Sequence, residues 1–148
     1  MVQLDPTTEN AAYRCGRLFW VLEQTQRLAV PGIKATIADR FFGTASSAPA
    51  SVFGRLLRGA QPHLGKLERD RPGAHFALQR RLEDIQGGIP SSGFPRTLAL
   101  EDQGLFALGY YHQRAFDRAQ AREAAEHRKA GEAAPAEAEL NPDTLENE

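Results

Sequence analysis

Apolar residues recur along this chain at helical spacing, with no convincing run at the spacing of a strand. In residues 10–29, Ala11, Cys15, Leu18, Leu22 and Ala29 fall on one stripe with Phe19 at its edge. That is the repeat of an amphipathic helix. Pro31 and Gly32 end it. Ile33, Ile37 and Phe41 repeat at i, i+4, i+8 and predict a short second helix over 33–42, with Gly43 as its stop. The small-residue run TASSAPAS (44–51) reads as a loop. Pro49 suits the first position of a third helix, which runs to Arg69 with Phe53, Leu56, Leu57, Ala60, Leu64 and Leu67 inward. This start leaves Ala48 at the N-cap without a side-chain acceptor; Ser47 or Ser51 would cap a slightly shifted start. Pro62 removes a backbone donor and predicts a kink.

A fourth helix over 74–86 turns Leu78, Leu82 and Ile85 inward, and GGIPSSGFPR (87–96) is a glycine- and proline-rich loop. The last helix spans 100–130, with Leu105, Leu108, His112, Phe116 and Ala119 on its inner face. Its end, AQAREAAEHRKA, is rich in helix formers but poor in large apolar groups, so it projects past the core or frays. The pattern predicts an all-α bundle of five helices over residues 1–130. An acidic, Ala- and Pro-rich tail over 131–148 is expected to be disordered.

The polar positions are as ordered as the apolar ones. On the third helix, Arg55, Arg58, Lys66 and Arg69 fall within a sector of roughly 80° opposite the leucines. A basic stripe with no acid within it can follow a phosphate backbone; the alternative is an ordinary solvated face. On the last helix, Tyr111, Arg114, Arg118, Arg122 and Lys129 share a sector of similar width, where a tyrosine could stack on unpaired bases. Asp117 and Glu126 lie where they pair with Arg114 and Arg122, which favours a charge-laced exposed helix there. The first helix carries Tyr13, Arg17, Trp20, Gln24 and Arg27 away from its stripe. A lone Trp in that position marks a protein interface or packs at the edge of the core.

Charge sharpens the division. The 148 residues hold 18 bases and 19 acids, for a formal charge of -1. Six of the acids lie in residues 131–148, where there is no base, leaving thirteen acids against eighteen bases in residues 1–130. The folded part is therefore basic and the tail acidic. Cys15 alone cannot form an intramolecular disulfide, which fits a reducing cytoplasm. No apolar run is long enough to span a membrane.

Residues for catalysis are not assembled. His63, His75, His112 and His127 are scattered, without HExxH or paired Cys/His spacing, so no metal or cofactor site is expected. His112 falls on the inner face and reads as a hydrogen-bonded core histidine. Cys15 lies on an apolar stripe and reads as a buried small hydrophobe. The 87–93 glycines lack a P-loop lysine. The chain reads as a non-enzyme.

Three stretches carry a resemblance. KATIADRFFGTASSAPASVFGRLLRGAQPHLGKLER (34–69) and LEDQGLFALGYYHQRAF (100–116) resemble the C-terminal region of the large subunit of type I-C CRISPR Cascade, and NAAYRCGRLFWVLEQTQ (10–26) resembles the segment just before it. Trp20, where a smaller residue is expected, and Ala99, in place of a serine cap, depart from the pattern. The acidic tail lies outside it. In that family the C-terminal helical region is also made as a separate small subunit, and the resemblance implies such a chain, or the same domain of the large subunit. It implies a role in an RNA-guided surveillance complex, among guide-RNA-bearing Cascade subunits, the large subunit and further copies of itself. There it would stabilise the R-loop, touching the displaced DNA strand or the heteroduplex backbone while base pairing reads the sequence.

Overall fold

In the computed structural model the chain is all-α, and the described residues are 10–138, with side chains through Glu132. Among the described residues five helices follow in order: α1 (Ala11–Ala29), α2 (Ile37–Ser47), α3 (Pro49–Asp70), α4 (Pro72–Gly87) and α5 (Leu100–Ala138). The chain divides into a compact unit, Met1–Ala115, and a second unit, Phe116–Glu148. The first holds α1–α4 and residues 100–115 of α5; the second continues α5.

Helix α1 is the central post of the first unit. Asn10 caps it, its Oδ1 accepting the Tyr13 N–H at 3.1 Å. The expected single stripe is an underestimate: Ala12, Tyr13, Cys15, Gly16, Leu18, Phe19, Trp20, Val21, Leu22 and Glu23 are all buried. Helices α2, α3 and α4 pack around α1, so Tyr13 and Trp20, read as part of its polar face, meet protein instead of water, while Arg27 stays exposed.

Two joints are made by the residue before a proline, which sterics push out of helical geometry. Ala48, before Pro49, takes φ -140°, ψ 68° and separates α2 from α3. Arg71, before Pro72, takes φ -144°, ψ 71° and separates α3 from α4. Helix α3 begins at Pro49 as expected, and Ala48 offers no side-chain cap. The free Ala50 N–H is met from elsewhere, by the Pro95 carbonyl at 2.9 Å. The helix continues through Pro62, which lies exposed, so the carbonyl that loses its donor is on the water side. Its buried face of Phe53, Leu56, Ala60, Leu64 and Leu67 matches the expected one except at Leu57, which is half-buried. So does that of α4, with Leu78, Leu82 and Ile85.

Helix α2 differs from the expectation at both ends. It starts at a capping box: the Asp39 carboxyl accepts the Thr36 N–H at 2.7 Å while Thr36 Oγ1 caps the first turn. It does not stop at Gly43. The Ser46 and Ser47 hydroxyls each donate to the Gly43 carbonyl at 2.9 Å, and the helix runs on until Pro49 forces the exit.

The core is aromatic. The Phe19 ring meets Phe42, Phe53 and Phe106 edge-on, with centroids 5.7, 6.4 and 5.8 Å away. The loop after α4 docks onto it. Phe94 stacks on Phe53 at 4.7 Å and 10°. The Leu98 N–H donates to the Ser47 carbonyl at 2.8 Å. Gly93 takes the left-handed φ of 96° that closes the turn from Pro90.

The inner face of α5 is a correction. Phe106, Gly109, Tyr110 and Gln113 are buried, whereas Leu108 is 49% exposed and Leu105 half-buried. The reason is the crossing with α1. A methyl group on Gly16 would strike the Phe106 carbonyl, and one on Gly109 would strike the Tyr13 carbonyl. Backbones meet there, and that closest approach sets the rotation of α5 more firmly than its leucines do. Helix α5 runs on to Ala138, past the start of the acidic tail at Gly131. The rest of the tail, residues 139–148, lies outside the described residues.

Candidate nucleic-acid interface

The α3 stripe is mostly as the helical wheel places it. Arg55, Arg58 and Arg69 are exposed, and among the described residues none of the three makes a hydrogen bond or ion pair. No acid interrupts α3 between Pro49 and Leu67. Three unneutralised guanidinium groups on one side of a rigid helix form an electropositive ridge suited to phosphate oxygens. Lys66 differs. Its Nζ donates to the Ala29 carbonyl at 2.6 Å, so it caps the C-terminal end of α1.

The second expected group is dispersed. The Arg114 guanidinium lies over the Trp20 ring, 5.8 Å from its centroid, and its Nε is buried without a partner. Trp20 is 5% exposed and also meets Tyr110 edge-on at 5.7 Å. Trp20 is therefore a core-edge residue in this chain and not an open docking face. Arg114 is held by it and does not begin an outward ridge. Tyr111 does face outward, at 54% exposure. Arg118 and Arg122 are exposed, and both belong to the second unit.

The first unit holds a buried polar hub that the sequence pattern does not reveal. Glu23 is 1% exposed. Its Oε1 accepts from Thr36 Oγ1 at 2.9 Å and from Arg27 Nη2 at 3.1 Å, and its Oε2 accepts the Tyr110 hydroxyl. One carboxyl group thus ties α1 to the N-cap of α2 and to α5. Burial, and then the bond to Glu23, push the Tyr110 phenol well above its ordinary range. A second cross-link joins Arg17 Nε to Gln113 Oε1 at 2.9 Å. His112 is half-buried, its Nδ1 2.9 Å from the Tyr13 hydroxyl. The one sequence signal for the hub is a glutamate directly after the apolar run of residues 18–22 in α1.

Among the described residues, no group of three His, Cys, Asp or Glu side chains could hold a metal. Burial pushes the Cys15 thiol up to about 12, which keeps it protonated and unreactive. No helix among the described residues is long and apolar enough to cross a membrane.

A comparison with curated proteins gives no match. The chain does match the family described as CRISPR-associated protein (Cas_Csd1) over residues 1–116. That match ends within one residue of the end of the compact unit at Ala115. It takes in Arg55, Arg58, Lys66, Arg69 and Arg114 and leaves out Arg118 and Arg122. The chain belongs to the Cas_Csd1 family of CRISPR-associated proteins.

Proposed function

We propose that this chain is a non-catalytic small subunit of a type I-C surveillance complex, stabilising the R-loop through contacts to nucleic-acid backbone. The observation that supports this most is the unneutralised ridge Arg55–Arg58–Arg69 on α3. Sequence-independent binding needs charge at a fixed spacing and little else, because guide pairing carries the specificity. The proposed contacts are those three arginines. Lys66 and Arg114 hold the scaffold. The guide-bearing subunits and the large subunit are the proposed neighbours. A photocrosslinker at position 58 in an assembled R-loop should join the displaced strand or the heteroduplex; labelling of protein alone would refute the assignment.

The second reading is a structural spacer, or the equivalent domain of the large subunit, that docks proteins without touching DNA. Exposed apolar residues favour it: Leu100, Leu108 and Tyr111 on α5, and Phe76 on α4. Under this reading those residues, not the buried Trp20, would carry assembly.

A further inference from the structure

We infer that the cleft between α1, α2 and α3 receives one unpaired nucleobase from a single strand whose phosphates lie along the α3 ridge. This rests on the backbone-binding reading above and adds a site to it. The cleft has a volume of about 180 Å³. Ligand pockets for drug-sized molecules run to about 300–1,000 Å³, so this one has room for a single flat ring system. Leu22 and Leu56 line its apolar part, and Phe41 from α2 offers a ring. Gln26, Arg55 and His63 bring nitrogen donors. The Gln26 carbonyl oxygen already accepts the Ile37 N–H at 2.8 Å, which fixes the carboxamide and leaves its NH2 group to donate. A neighbouring depression shares Gln26, Ile37 and Phe41 and adds Arg40. No acidic side chain lines either one.

Two features select a nucleotide over a protein side chain. Arg55 is at once a wall of the cleft and the first member of the exposed ridge, so a base in the cleft has its own phosphate beside a guanidinium. The donors around the cleft match the carbonyl oxygens and ring nitrogens of a base, and an aromatic ring beside them is how unsequenced single strands are held. The way in is open: Arg55, Gly59 and His63 follow one another at i, i+4, i+8 on α3, and the middle residue has no side chain. A Cβ built at Gly59 meets nothing within 4 Å.

That open position supplies the test. Gly59→Leu plugs the cleft, keeps every charge and replaces a poor helix former with a good one. The probes are a fluorescent oligo-dT strand and an abasic strand of equal length, titrated with the full chain. The intact chain should bind oligo-dT roughly tenfold more tightly than the abasic strand, the worth of one stacked base. Gly59→Leu should remove that preference, leave abasic binding unchanged and melt no earlier. An Arg55→Gln, Arg58→Gln, Arg69→Gln variant should weaken both probes. Equal binding of the two probes by the intact chain, or a preference that survives Gly59→Leu, overturns the base site while the ridge stands. If the triple variant binds both probes as the intact chain does, the ridge itself fails. If Gly59→Leu instead impairs only docking to partner subunits, the cleft is a protein anchor pocket and the inference is wrong.

Discussion

Lys66 of α3 donates to the carbonyl of Ala29 at the C-terminal end of α1, 2.6 Å away. One member of an apparent nucleic-acid stripe is thus part of the scaffold, capping a helix end whose dipole favours a cation. Lys66→Ala should cost about 1 kcal/mol of folding stability, the scale of one charge-assisted bond at a part-exposed site. It should change oligonucleotide affinity less than Arg58→Ala does. Urea unfolding paired with oligonucleotide titration separates the two effects.

Trp20 and Arg114, read from the sequence as members of separate surfaces, touch each other. Trp20→Ala should therefore act through the fold, with a loss of about 3–5 kcal/mol typical of a deleted core aromatic. Arg114→Met, which keeps the packing of the stem, should lose about 1 kcal/mol of cation–π attraction. Equilibrium unfolding of both variants checks this; wild-type stability in Trp20→Ala would show that the ring is not part of the core.

Gly16 and Gly109 let the α1 and α5 backbones meet. Either glycine to alanine forces the helices apart and should cost at least about 1–3 kcal/mol, despite alanine's better helix propensity. Gly59→Ala, in open space, is the matched control and should be neutral or stabilising. Thermal melts of the three single variants give the comparison.

Which parts of this were legible follows from how each helix is buried. Helices α3 and α4 bury one face each, so Phe53, Leu56, Leu64 and Leu67, then Leu78, Leu82 and Ile85, could be read from periodicity. Helix α1 is surrounded, and a helix buried on most sides has no single stripe to read. On α5 the leucines misdirect, because the face is chosen by a glycine crossing that depends on Gly16, some 90 residues away in sequence. The start of α2 was available locally, in the Thr36–Asp39 spacing of a capping box. The exposed Arg55, Arg58 and Arg69 follow from the wheel. The Lys66 bond and the Glu23–Tyr110 pair depend on tertiary neighbours and do not.

The buried acids give a pH dependence. Cys15 titrates in the fold at about 12 against an ordinary 9.0, and Tyr110 is raised as well. Where the unfolded chain has lost these protons and the native chain keeps them, stability falls as pH rises. The Cys15 contribution is fully present below pH 9 and declines between 9 and 12, and that of Tyr110 declines only above its ordinary 10.0, each by at most about 1.4 kcal/mol per pH unit. Cys15→Ala should flatten the decline in urea-unfolding free energies measured across that range. Native Cys15 should resist a thiol reagent at pH 8 and react once the chain is unfolded.

The central claim is that Arg55, Arg58 and Arg69 neutralise phosphates. Its most direct test is the salt dependence of target-DNA binding by the assembled complex, with these three residues intact or changed to glutamine. Each lost phosphate contact removes about 0.7–0.9 from the slope of log affinity against log salt, so the triple variant should bind more weakly at low salt with a slope shallower by about 2–3. An unchanged slope and unchanged R-loop yield, in a complex of normal composition, would contradict the account.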